Sequence, residues 1–249
     1  MKGVGAWKFP GVNQALADCG ASWFYTWGPD ADGITSPPGV QFVPMIWGPK
    51  DVNAGELSQV AQAGRYLLGF NEPDNPEQSK MPVAQALSLW PRLMATGMTL
   101  GSPAVATDAN VPGSWLDQFM SGARARNYRV DFITVHWYGG NFSTEAAVSQ
   151  LEDYLKATHA RYGLPLWLTE YALGDEDANS YPTESQQALF ATASTSMLRT
   201  LPFLQRYSWF ALPYDKTFGN TGLYAPGAVA TQVGRAYQAV PAHGDLTGG

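Results

Sequence analysis

Eight short runs rich in β-branched and aromatic residues recur along the chain, at residues 3–7, 22–27, 41–47, 66–71, 99–102, 131–138, 164–170 and 206–212. Between most of them lie stretches whose apolar residues repeat at helical spacing, at 53–63, 83–96, 114–125, 143–162, 183–201 and 229–240. The helix ends are signalled: Ser143 precedes an acidic first turn, Thr183 is followed by Glu184, and Gly64, Gly97 and Gly163 follow helical runs where a left-handed C-terminal residue belongs. The apolar runs are nearly continuous and do not alternate, which is the pattern of a parallel sheet covered on both faces. Eight βα units in 249 residues match a single (β/α)8 (TIM) barrel, a fold that needs about 250 residues as one unit. A doubly wound open sheet would place a glycine-rich phosphate loop early, and no G-x-G-x-x-G or G-x-x-x-x-G-K-[ST] occurs. The expected organisation is one barrel domain over 1–242 and a polar, disordered tail at 243–249. Residues 28–40 are too rich in Gly and Pro for a helix, so the helix after the second strand is predicted to be reduced or missing. Pro91 predicts a kink or break within 83–96.

Composition narrows the partners. Charged residues make up only 14% of the chain, against about 25% in an average soluble domain. Aromatic residues reach 13%, with nine Trp and twelve Tyr. The net charge of -6, with no basic cluster beyond Arg124, Arg126 and Arg129, disfavours a nucleic-acid partner. No apolar run approaches the ~20 residues that cross a bilayer. The first residues lack the charged-then-apolar pattern of a signal peptide, so either the protein is cytoplasmic or a leader has been removed. Cys19, the single cysteine, excludes an internal disulfide and a Cys-based metal site, and reads as a buried, inert thiol.

Against this scarcity of charge, two of the eight glutamates stand out. Glu72 and Glu170 end apolar runs, YLLGFNEP and LPLWLTEYAL, where a carboxylate is costly to bury unless it is paired or used. In a barrel all strands point one way, so the ends of the fourth and seventh strands face each other across the mouth where barrel enzymes keep their sites. Two carboxylates across a cleft suit glycosidic bond cleavage. A divalent metal could use the same pair, but His136 is the only histidine near a strand end and nothing completes a coordination shell, so no metal is expected. His136 and Tyr138, two apart in FITVHWYG, fall on one side of the sheet, with Trp137 on the other. Asn71 could bond a sugar hydroxyl or merely close the turn with Pro73. Trp27, Trp47 and Trp209 are assigned to a cleft where indoles stack on sugar rings. Trp137 and Trp167 are assigned to packing between barrel and helices, and Trp90 and Trp115 to the core. Asn141-Phe142-Ser143 is a weak glycosylation sequon.

The segments GFNEPD (69–74), LGSPAV (100–105), SWLDQF (114–119), VDFITVHWYG (130–139), GLPLWLTEYAL (163–173) and RYSWFA (206–211) together resemble glycoside hydrolase family 128, the glycosyl hydrolase catalytic core proteins, over residues 3–240. The resemblance implies an endo-β-1,3-glucanase on a (β/α)8 barrel, cleaving with retention of configuration and needing no cofactor. It makes Glu72 the acid/base and Glu170 the nucleophile, with Glu72 holding its proton the longer. It assigns substrate contacts to Asn71, Trp27, Trp47, His136, Tyr138 and Trp209, the last as an aromatic floor from the eighth strand. KGVGAW and FALPY depart from the family pattern and bear on outer subsites and preferred chain length. The implied partner is a β-1,3-glucan polysaccharide or oligosaccharide, met by a monomer outside the cell, with no nucleic acid and no membrane. Read from the residues alone, a β-1,4-glucanase, a β-mannanase, a non-catalytic glucan-binding barrel or an interaction protein using aromatic loops would carry the same features.

Overall fold

The computed structural model describes residues 1–175 and 179–242, so the tail at 243–249 lies outside the described residues. In chain order the elements are β1 (Lys2–Gly5), α1 (Val12–Asp18), β2 (Trp23–Tyr25), β3 (Gln41–Phe42), α2 (Ala54–Ala63), β4 (Tyr66–Leu67), α3 (Val83–Met94), β5 (Thr99–Leu100), α4 (Trp115–Ala125), β6 (Ile133–Gly139), α5 (Thr144–Tyr162), β7 (Leu166–Leu173), α6 (Glu184–Leu198) and β8 (Leu204–Trp209). A short antiparallel hairpin, β9 (Tyr224–Ala225) and β10 (Val229–Ala230), precedes α7 (Gln232–Ala239). The centre is a parallel sheet in the order β3-β2-β1-β8-β7-β6, beside a two-stranded parallel sheet β4-β5. Isolated parallel bridges Met45–Leu68 and Gly101–Phe132 lie between the two sheets.

Each of the eight predicted runs carries a strand. Those at 41–47, 66–71 and 99–102 hold only two residues of regular ladder each and continue as single bridges, such as Asn71–Ala104. No helix intervenes between β2 and β3, as the Gly/Pro content of 28–40 implies. Pro91 does not break its helix: α3 runs on to Met94. The proline forfeits one bond to the Leu87 carbonyl, but Ala95 N–H still reaches Pro91 O at 3.0 Å, and Leu87, Trp90 and Leu93 anchor the helix on its buried face. Helix starts are capped by side chains that accept backbone N–H groups: Asn53 from Glu56 (3.0 Å), Thr183 from Gln186 (3.2 Å) and Thr231 from Gly234 (3.0 Å).

Two apolar layers result. The outer one packs strand residues such as Phe24, Ile133, Leu168 and Tyr207 against helix residues such as Leu16, Trp90, Phe119 and Phe190. Trp90 and Trp115 stay with this layer, and Trp137 stacks on Phe190. Cys19 lies here as a free, buried thiol whose ionisation burial pushes up to about 11. Lys2 is also enclosed, its ammonium donating to Tyr237 O (2.5 Å) and Val240 O (2.7 Å), which ties β1 to the end of α7.

The inner layer contains Trp23, Tyr25, Met45, Leu68, Phe132 and Trp167. Glycines on β1 make room for it. A Cβ at Gly3 would stand 2.2 Å from the Trp23 indole, and one at Gly5 would stand 2.5 Å from that of Trp27. Trp167 belongs to this interior and not to the helix interface assigned from strand parity. The β7 register shifts between Leu168 and Tyr171, a bulge that breaks the two-residue alternation, so Trp167 and Glu170 both face inward. Arg206 closes the end of the interior where the strands begin, its guanidinium over the rings of Trp167 (4.3 Å), Tyr66 (4.7 Å) and Trp23 (5.5 Å). Among the described residues no helix is long and apolar enough to cross a membrane.

Candidate active site

At the opposite end, where the strands finish, the chain turns Glu72 and Glu170 into one cleft of about 710 Å³. Glu72 follows the Asn71–Ala104 bridge and adopts a left-handed backbone, φ 40°. Its own N–H is held by Ala104 O at 2.7 Å, and its carbonyl accepts Asn75 N–H at 3.0 Å, so a tight turn around Pro73 fixes the side chain. The same turn brings Asn75 Nδ2 to Glu72 Oε2 at 2.9 Å. Glu170 sits just past the β7 bulge and accepts from Trp27 Nε1 (2.7 Å) at Oε1 and from Tyr138 O–H (2.5 Å) at Oε2, while the single Tyr25 O–H is shared between Thr169 O (2.9 Å) and Glu170 Oε1 (3.3 Å). Burial and the nearby Glu170 charge push both phenols well above the ordinary tyrosine range, so they remain O–H donors.

His136 joins the two carboxylates. It is fully enclosed, with Nδ1 2.8 Å from Glu72 Oε1 and Nε2 3.5 Å from Glu170 Oε1. Burial disfavours its charged form, but the Glu170 charge and the bond to Glu72 outweigh that and raise its pKa. Burial likewise opposes ionisation of Glu72, yet the hydrogen bond and charge of His136, with Asn75, hold its carboxyl below the usual range. Both shifts favour a charged pair across the Nδ1–Oε1 hydrogen bond.

Most of the sequence-assigned residues converge here. Trp27, Trp47, Asn71 and Tyr138 line the cleft with the glutamates. Asn71 Nδ2 donates to Gln78 Oε1 at 3.2 Å, while its Oδ1 accepts no hydrogen bond among the described residues. Trp209 does not line the cleft. It is fully buried on the helix side against Tyr171, Phe190 and Tyr237, with Nε1 bonded to Thr221 O at 2.8 Å, and Phe210 lines the cleft in its place. Along β8, Tyr207 and Trp209 face the helices while Arg206 faces the interior, and the same alternation carries Phe210 inward. Trp7 and Phe218 extend the wall, their rings 5.9 Å apart. Tyr25 and Asn75 were not singled out from sequence. Tyr25 is two residues before Trp27 and shares its face, and Asn75 lies in the EPDN turn, so strand period and turn chemistry could have found them.

One ligand atom each from Glu72, His136 and Glu170 lies within 4.8 Å of the others, a spacing that could hold a cation. Here the carboxylate oxygens already accept bonds from Trp27, Tyr25, Tyr138, Asn75 and His136, which a cation would have to displace.

A family model described as the glycosyl hydrolase catalytic core matches residues 6–237. Alkali-sensitive linkage protein 1 of Schizosaccharomyces pombe is 32% identical over 247 residues, covering 93% of this chain and 43% of its own, so the chain spans under half the length of that curated relative. Among solved structures, a variant of a GH128 (subgroup I) endo-β-1,3-glucanase from Amycolatopsis mediterranei, in complex with laminaripentaose, is 53% identical; the match covers 96% of this chain and 98% of that one, with a TM-score of 0.92. A GH128 (subgroup II) endo-β-1,3-glucanase from Sorangium cellulosum is 27% identical with a TM-score of 0.80, over 98% of this chain and 99% of its own. A GH128 (subgroup III) curdlan-specific exo-β-1,3-glucanase from Blastomyces gilchristii, in complex with glucose, is 27% identical with a TM-score of 0.75, over 96% and 97% respectively.

Proposed function

The chain belongs to the glycosyl hydrolase catalytic core family, and from that premise we propose that it cleaves β-1,3-glucan chains internally, with retention, using Glu170 as nucleophile and Glu72 as acid/base. The observation that carries this reading is the pair of carboxylates brought within 4.8 Å at the base of an aromatic cleft. Retaining glycosidases hold their carboxyl groups about 5–5.5 Å apart and inverting ones about 6.5–9.5 Å, so this close approach supports a covalent intermediate. The scaffold we infer is a closed (β/α)8 barrel over residues 1–242, supported by the β1–β8 pairing and the two bridges linking the sheets. It works as a monomer outside the cell, where a glucan polymer is met.

Chemically, a Glu170 oxygen attacks the anomeric carbon as the glycosidic C–O bond breaks, and the departing oxygen takes a proton from Glu72. Water then attacks the glycosyl ester, giving its proton to Glu72, and the ester bond to Glu170 breaks. The Glu72 shift is downward and the His136 shift upward, so His136 Nδ1, one hydrogen bond away, is placed to supply the proton that Glu72 delivers. As the nucleophile becomes an ester its charge disappears, and with it the main attraction that keeps His136 protonated. The proton passes along the 2.8 Å bond to Glu72 in the same step in which Glu72 protonates the departing oxygen, and the proton that Glu72 later takes from water returns to His136 once the ester bond has broken and the Glu170 charge is restored. Asn71 and Trp47 contact the sugar, and Phe210 supplies the aromatic surface assigned to Trp209.

The test is release of reducing ends from laminarin, curdlan, mannan and cellulose, with the anomer followed by proton NMR in the first minutes. Oligosaccharides of several lengths from laminarin and curdlan, appearing first as the β anomer, are expected. Turnover on mannan or cellulose in preference would restore a β-1,4 reading; glucose alone would indicate exo action, and an initial α anomer would remove the covalent step.

A further inference from the structure

Trp27 reads, from sequence, as a stacking wall, yet its indole edge is what the structure builds a seat for. Its backbone is left-handed, φ 59°, a conformation that disfavours large side chains and persists where the surroundings impose it. Gly5 on β1 leaves the space its ring occupies, since any Cβ there would lie 2.5 Å from the indole. Tyr25 packs at 4.7 Å between ring centroids, and Phe210 meets it edge-on at 5.8 Å. These contacts direct Nε1–H at Glu170 Oε1, 2.7 Å away. Among the described residues no lysine or arginine bonds that carboxylate. Its partners are three neutral donors and the more distant His136.

We propose that Trp27 is a positioning residue for the nucleophile: its indole N–H holds one oxygen of Glu170, with Tyr138 holding the other, so that the carboxylate presents a fixed orientation to the anomeric carbon. The inference rests on Glu170 being the nucleophile. A purely stacking tryptophan contributes through its face and through ground-state binding. A donor to the carboxylate stabilises the charged form that attacks and restricts its rotation. The two roles separate by removing the N–H and keeping the ring.

The experiment replaces Trp27 site-specifically with β-(3-benzothienyl)alanine, which keeps a bicyclic ring of the same size and substitutes sulfur for N–H, alongside Trp27→Phe. Activity on laminarin oligosaccharides is measured from pH 4 to 8. One hydrogen bond to a charged group corresponds to about 10- to 100-fold in kcat. That fall is expected in the benzothienyl variant, with KM within about threefold and the acidic limb of the kcat/KM profile moved to higher pH. Gly5→Ala touches no reacting group and is expected to lower kcat in the same way by displacing the ring. Unchanged kcat and an unmoved acidic limb in the benzothienyl variant, or wild-type kcat in folded Gly5→Ala, would overturn the proposal. Glu170→Gly with added azide is run in parallel. An inactive variant that azide rescues to an α-glycosyl azide preserves the premise, so normal benzothienyl kinetics then reject Trp27 alone. An active Glu170→Gly variant removes the premise itself.

Discussion

The two ends of the inner apolar layer handle charge in opposite ways with the same kind of residue. At the end where the strands begin, a cation, Arg206, lies over the faces of Trp167, Tyr66 and Trp23, with one hydrogen bond to Gln41 Oε1 at 2.7 Å. At the end where the strands finish, an anion, Glu170, meets the donor edges of Trp27, Tyr25 and Tyr138. An aromatic ring is electron-rich on its face and electron-poor at its edge, so faces suit a cation and edges suit a carboxylate. The difference is access. The Arg206 end is filled by its rings, whereas the glutamates open onto the cleft and share His136, which can pass a proton to Glu72.

The sharpest way to break that contrast is to neutralise each end. Glu170→Gln is expected to cost on the order of 10⁴-fold or more in turnover of laminarin, and Glu72→Gln about 10²- to 10⁴-fold. An aryl glucoside whose leaving group needs no proton should recover much of the second loss and none of the first. Equal recovery in both variants would erase the distinction between the two carboxylates.

Arg206→Ala should show the converse. Removing a large buried side chain from among three rings is expected to lower unfolding free energy by about 3 kcal/mol, read by urea denaturation. Turnover of the folded variant should stay within about twofold of wild type. A loss of turnover comparable to Glu72→Gln would mean that the two ends are coupled.

Within the finishing end, Phe210 and Trp209 separate cleft from packing. Phe210→Leu should raise KM a few-fold, with stability changed by about 1 kcal/mol. Trp209→Phe should lower stability by about 1–3 kcal/mol with KM little changed. The reverse pattern would return Trp209 to the cleft.

These residues also show what could be read in advance. A carboxylate ending an apolar run announces itself because an unpaired one is costly, which made Glu72 and Glu170 legible, and the two-residue period placed His136 with Tyr138. That period misled at Trp167, because an unseen bulge on β7 turns two residues the same way; at Trp209 the period holds, with Tyr207 and Trp209 on the helix side and Phe210 inward, and the assignment of Trp209 to the cleft overlooked it. Helix α1 went unrecognised for a local reason: its N-cap is Gly11, which offers no side-chain oxygen to mark the start. Pro91 predicted a break that tertiary packing of Trp90 and Leu93 overrides.

The smallest expected effect is a slope rather than a loss, and it contrasts the ends by pH. Glu72 has its pKa lowered in the fold, so its pairing stabilises above the ordinary glutamate value, about 4.3, and that contribution fades as pH falls through the lowered value. His136 has its pKa raised, so its contribution is complete below the ordinary histidine value, about 6.5, and is lost as pH rises through the raised value. Glu72, Glu170 and Asp74 are the carboxylates that act on this imidazole. The stability difference between wild type and His136→Gln, from urea unfolding at a series of pH values, should therefore be greatest at about pH 5 to 6 and shrink on either side. The deficit of Arg206→Ala should instead narrow as pH falls from about 8 towards 6, because burial and the Arg206 charge together hold the Met1 ammonium pKa down at about 6 and the variant relieves the second of these. A flat His136→Gln difference would mean that His136 supports the mouth by shape alone, as the rings around Arg206 support the other end.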